Sequence, residues 1–155
     1  MNILTALKAD HKELKKILED IEGTTERAEK KRLSLFVKFK DEIVAHARAE
    51  EKAVYDDFLR VLEKDDRGTI LEGFEEHHLV DKMIPEIEKL SPTDEIWTAK
   101  VKVLKEMLEH HIEEEEEDEI FSMLREKCEE ETLQNMAQRF EALKAEIKSK
   151  APKAA

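Results

Sequence analysis

A chain with a single cysteine can form no internal disulfide and no multi-cysteine metal site, and Cys128 is the only one here. Glycine and proline are nearly as scarce, with three of each in 155 residues. Both residues punctuate turns and interrupt helices, so their scarcity excludes a loop-rich fold and predicts a helical one. No apolar run approaches the ~20 residues that a membrane-spanning helix needs. The opening Met1-Asn2-Ile3-Leu4-Thr5 lacks the basic-then-apolar order of a secretory signal, which predicts a cytoplasmic location. There is no glycine-rich phosphate loop and no nucleophile elbow, so nucleotide-binding and hydrolase chemistry have no support. Positive charge is also short. Lys and Arg number 27 against 39 Asp and Glu, and the net charge of -12 argues against nucleic acid and anionic membranes as partners.

What is present in abundance is charged and aliphatic sequence, 43% and 40% of residues, arranged with helical spacing. Leu4, Leu7, Leu14, Ile17, Leu18 and Ile21 predict a first helix from Asn2 to Ile21, stopped by Gly23. Thr24 or Thr25 is placed to cap a second helix that carries Leu33, Phe36, Val37, Ile43, Val54, Phe58 and Leu62. A third carries Ile70 to Ile87, with Pro85 predicting a kink or break. Ser91-Pro92-Thr93-Asp94 reads as the capped start of a fourth, with Ser91 as the cap. The expected fold is all-α: an antiparallel up-down four-helix bundle over residues 1–128. An amphipathic helix over 129–148 would cover an apolar face on its own bundle or on a partner, including a second copy in a homodimer, and 149–155 would form a flexible tail.

The sequence repeats itself. At an offset of 66, Asp10-His11 maps to Glu76-His77, and Leu14, Ile17, Leu18 and Ile21 map to Val80, Met83, Ile84 and Ile87. Phe36, Phe39, Ile43 and His46 map to Val101, Leu104, Leu108 and His111 at 65, whereas Val54, Tyr55 and Phe58 map to Ile120, Phe121 and Leu124 at 66. The chain is two copies of one helical hairpin, with one extra residue after His111. The register also separates the doubled histidines, favouring His77 over His78 and His111 over His110.

Each hairpin thus offers a histidine on its first helix and a His-x-x-x-Glu pair on its second, His46 with Glu50 and His111 with Glu115. Residues four apart share a helical face and can grip one ion or two neighbouring ions. One histidine on an apolar stripe is most often a satisfied core residue. Four of them, one per helix and related by a repeat, reverse that expectation. A carboxylate on the core stripe costs several kcal/mol unless it is paired or coordinates a metal. The predicted ligands are His11, His46, Glu50, His77, His111 and Glu115, a set suited to Fe, Zn, Mn or Cu. The extra residue predicts a wide π turn between Ile112 and Glu119. A bulge after Glu115 makes that residue the ligand, and one before it selects Glu116. Tyr55 reads as packing, Met83, Met107, Met123 and Met136 as core filler, and His78 and His110 as exposed or supporting.

Asp10-His11-Lys12-Glu13-Leu14, His46-Ala47-Arg48-Ala49-Glu50-Glu51 with Val54-Tyr55, and Glu76-His77-His78 with His110-His111-Ile112-Glu113-Glu114-Glu115 resemble the hemerythrin-like, HHE cation-binding family across residues 1–128. The resemblance implies a four-helix bundle holding two non-haem iron ions, bridged by oxo and carboxylate groups. It also implies a small ligand such as dioxygen, nitric oxide or peroxide. Asp81 stands where oxygen-carrying members have a second histidine, leaving four matching histidines instead of five. Two other readings compete. A ferritin-like iron oxidase or store requires Glu-x-x-His on two helices, and only Glu75-x-x-His78 fits. A metal-free interaction module leaves the histidine–glutamate pairs unexplained.

Overall fold

The computed structural model describes residues 1–150, with the side chain of Glu115 outside the described set. Helix α1 (Ile3–Glu22) starts where the Asn2 side chain accepts a hydrogen bond from the Thr5 amide. Its stripe from Leu4 to Ile21 is buried. Helix α2 (Glu29–Glu50) begins later than the threonines suggest. Thr24 turns its hydroxyl back to the Ile21 carbonyl and receives Arg32 Nε at 2.9 Å, while the Ala28 amide bonds to the Thr25 carbonyl, so neither threonine caps α2. The rod continues without a loop through a π-helical segment, Glu51–Tyr55, into α3 (Asp56–Val61).

A short 3-10 turn, Lys64–Asp66, leads into α4 (Arg67–Glu88). Pro85 does not break it, because it falls in the last turn, where its missing N–H removes one hydrogen bond near an end that already lacks partners. The cap of α5 (Glu95–His110) is Asp94, whose side chain accepts from the Ile96 amide at 2.8 Å. Ser91 instead closes the preceding turn by accepting from the Thr93 amide. From α5 the rod passes through a π segment, His111–Ile120, into α6 (Phe121–Lys127). The extra residue is thus absorbed over the stretch expected for it. Helix α7 (Glu130–Lys150) includes Ser149 and Lys150, which the sequence assigned to a tail, and residues 151–155 lie outside the described set.

Four rods pack in alternating direction, with α7 against α1 and α2. The apolar face of α7, made by Leu133, Met136, Ala137 and Phe140, is therefore covered by its own bundle. No helix is long and apolar enough to cross a membrane among the described residues.

The core is divided. One apolar cluster joins Leu7, Val54, Phe58, Ile120, Phe121, Leu124 and the inner face of α7. The other joins Leu14, Ile17, Phe36, Phe39, Ile84, Trp97 and Leu104. Each fully buried side chain of this kind contributes about 1.5–3 kcal/mol. Between the two clusters lies a layer of buried polar groups, and these are the residues the repeat singles out.

Candidate metal centre

His11, His46, Glu50, His77 and His111 all lie in this layer, each no more than 4% exposed. The bundle brings together candidate ligands that are up to 100 positions apart in sequence. Ligand atoms of His11, His46 and Glu50 fall within 4.8 Å of one another, as do those of Glu50, His77 and His111. Glu50 belongs to both groups. Its Oε1 lies 3.8 Å from His46 Nε2 and 3.2 Å from His77 Nε2.

Of the two glutamates between which the extra residue leaves the choice open, Glu116 lies in this layer. It is fully buried, its Oε2 lies 3.9 Å from His111 Nε2, and the side chain of Glu115, the sequence-based choice, lies outside the described residues. The π segment widens the turn before this residue, so the spacing becomes five instead of four. The signal was in the repeat, since Glu50 plus the offset of 66 is Glu116.

The Nδ1 atoms are all engaged. His11 pairs with Glu117 at 2.9 Å, His46 with Asp10 at 2.8 Å, His77 with Glu51 at 2.8 Å and His111 with Glu76 at 3.0 Å. These partners obey the same repeat, Asp10 with Glu76 and Glu51 with Glu117. A carboxylate on Nδ1 fixes the ring and its tautomer and leaves Nε2 as the donor atom, which is how metal-binding imidazoles are held. Both Glu50 oxygens and Glu116 Oε1 are buried without a well-formed hydrogen bond. Each such orphan costs roughly 1–3 kcal/mol, an expense that a coordinated cation removes. The donor set fits a metal.

Residues 2–124 match the hemerythrin HHE cation-binding domain. The chain belongs to that family. A "DNA nickase" of Nostoc sp. (strain PCC 7120 / SAG 25.82 / UTEX 2576) is 23% identical over 150 residues, 97% of this chain, and the chain spans 41% of that relative's length. No solved structure matches.

Without a cation, the HHE centre is electrostatically frustrated. Burial, then the adjacent Glu50, push the Glu116 carboxyl well above the usual carboxylate range. Burial also opposes ionisation of Glu50, but its Glu116 and His77 neighbours outweigh this and hold it low. Burial disfavours the charged form of His77 too, yet Glu50 and Glu51 raise it to about 9. His11 is lowered, because burial exceeds the effect of Glu117.

Tyr55 is more than packing. Its ring stacks on His77 with centroids 5.4 Å apart, and its hydroxyl donates to Glu116 Oε2 at 2.6 Å. The repeat places Phe121 at the equivalent position, where it stacks near His11 without a hydroxyl. The sequence left Tyr55 off the stripe because ~100° per residue assumes an unbroken α-helix, and the π segment Glu51–Tyr55 rotates it inward. Gly73, buried inside α4, makes room for it. A Cβ there would meet the Tyr55 hydroxyl oxygen at 2.8 Å and Cε2 at 2.9 Å. Gly73→Ala is therefore expected to destabilise by about 1–3 kcal/mol through overpacking, despite the ~1 kcal/mol that alanine ordinarily gains in a helix. Urea denaturation of both proteins checks this, and a stabilised variant would refute it.

The other two histidines point elsewhere. His78 is 53% exposed beside Glu75, and His110 is 55% exposed beside Glu114. Elemental analysis should find His46→Ala and His77→Ala depleted in metal, with His78→Ala and His110→Ala close to wild type. Equal depletion in all four would contradict the assignment. Among the predicted core methionines, Met136 is buried, and Met83, Met107 and Met123 are partly buried at the cluster margins.

Proposed function

We propose that this HHE domain holds two iron ions, one at His11 and His46 and one at His77 and His111, with Glu50 and Glu116 shared between them. In this reading the centre binds, senses or reacts with a small ligand such as dioxygen, nitric oxide or peroxide. The supporting observation is the buried layer itself: four histidines fixed through Nδ1, with two carboxylates beside them and three of the carboxylate oxygens without a well-formed hydrogen bond. That is too many donors for one tetrahedral site. Iron would supply one-electron chemistry and an open coordination position for a diatomic ligand.

The chain's own residues prepare that environment. The apolar clusters on both sides exclude water from the layer. The Tyr55 hydroxyl fixes one Glu116 oxygen and leaves the other buried without a well-formed hydrogen bond. Asp81, at the position of the carriers' extra histidine, accepts from Arg48 at 2.9 Å and supplies no imidazole. A four-histidine set supports sensing or reaction over simple oxygen carriage.

The ferritin-like alternative loses its motif here, since Glu75 and His78 are both exposed. No DNA-directed activity is carried over from the nickase, because a net charge of -12 opposes approach to a phosphate backbone. Metal-free protein loaded anaerobically with Fe(II), then exposed to air, should contain about two irons per chain and develop near-ultraviolet ferric absorption. One zinc and no retained iron would overturn the di-iron reading.

A further inference from the structure

Helix α7 lies beyond the 2–124 span of the family match, yet it reaches the centre. Lys144 is 9% exposed, and its Nζ donates to Asp10 Oδ1 at 2.6 Å. The other oxygen of the same carboxylate, Oδ2, accepts from His46 Nδ1 at 2.8 Å. The adjoining turn of α7 sets the Phe140 ring edge-on to His46, with centroids 5.6 Å apart, and the lysine passes over that ring at 5.2 Å.

We infer that Lys144 is a positioning residue for the metal centre: through Asp10 it holds His46 in ligating orientation, so that α7 governs occupancy of the position made by His11, His46 and Glu50. The inference rests on the two-ion reading above. A buried lysine is a costly way to dock a helix, because its desolvation is repaid only by close pairing. Apolar side chains of α7 already cover the bundle, so docking alone does not require it. What the lysine adds is a fixed carboxylate. An Asp10 bound at both oxygens has one orientation available, and so does the imidazole it holds. Loss of such a supporting partner typically lowers metal affinity about 10–100-fold. The other half of the centre is supported differently. Glu76, which holds His111, comes from α4, and Glu51, which holds His77, is paired with Arg48 of α2.

Cobalt(II) titration of the metal-free full chain, followed by its visible bands, tests this. Wild type should take up two equivalents. Lys144→Met should keep one equivalent at wild-type affinity and bind the second at least about tenfold more weakly, while Lys144→Arg restores it. Lys148→Met is the control, because Lys148 joins the same helix to Glu42 at 2.8 Å without touching the centre. It should titrate like wild type. Thermal melts of the metal-free variants confirm that each is folded. Two undiminished equivalents in Lys144→Met, equal weakening of both positions, or a Lys148→Met that behaves like Lys144→Met would overturn the positioning role. A wild type that binds one equivalent would instead overturn the two-ion reading beneath it.

Discussion

Glu50→Ala is expected, on the two-ion reading, to lose both metal ions, whereas loss of a single histidine depletes mainly the position it serves. Glu50 is the residue common to the two ligand groups, and it lies within reach of His46 Nε2 on one side and His77 Nε2 on the other. Removing it deprives each position of an anionic donor and leaves two cations to face one another across a single remaining carboxylate, Glu116. The loss should exceed the roughly 10–100-fold that follows from deleting a supporting partner alone. Metal content after gel filtration, together with the rise in melting temperature on adding Fe(II) anaerobically, measures it. A variant that retains one tightly held iron would show that Glu50 serves only one position. The same assay separates the neighbouring glutamates: Glu116→Ala should lose iron and Glu115→Ala should keep it, and the reverse result would restore Glu115 as the ligand.

The metal-free protein should become less stable as pH rises from about 6.5 to about 9, and bound metal should abolish most of that dependence. His77 is raised in the folded state from 6.5 to about 9, so the stability it contributes is complete below its unfolded pKa and disappears as pH climbs through the folded one. Glu116 acts in the same direction. Its raised pKa means that the folded chain keeps a proton the unfolded chain has released, which costs stability as pH rises above the ordinary carboxylate range. His11 is lowered, so its effect falls below pH 6.5, outside this window. The shift at His77 alone corresponds to something on the order of 3 kcal/mol. A cation replaces these protons, since the ligands must be deprotonated to bind it, and metal binding should strengthen over the same interval. Melts at pH 6.5 and 9, with chelator and with metal, give the answer. A metal-free protein that is equally stable at both values, or more stable at 9, would contradict the proposed ion pairing of His77 with Glu50 and Glu51.

The sequence by itself determined the elements and the histidines. Helical periodicity, scarce glycine and proline, and a repeat of 66 residues specify the rods, and the same repeat chooses His77 over His78 and His111 over His110. These features were legible because they are local, or because two copies of one hairpin could be compared position by position. The extra residue after His111 announced a π turn, since a helix that gains one residue must widen or lose its stripe. The ends of the helices were less legible. Thr24, Ser91 and Asp94 are all good capping residues, and which of them caps is settled by where the loop carries each side chain.

Only the tertiary structure decided which carboxylates lie in the buried layer. Glu115 and Glu116 differ by one position in an acidic run, and it is Glu116 whose side chain is buried beside Glu50 and Tyr55. A second π segment, at Glu51–Tyr55, gave no sign in the spacing because it occurs where no residue is inserted relative to the pattern. It turns Tyr55 inward and places Glu51 on His77. The partners of the imidazoles are likewise contacts between helices: Asp10 meets His46 across 36 positions, and Lys144 meets Asp10 across 134. Periodicity records which face of a helix is buried, but not which residue of another helix lies opposite. That is fixed when the rods pack, and packing gives each of the four buried imidazoles a carboxylate on Nδ1, because a buried ring left without a partner is costly.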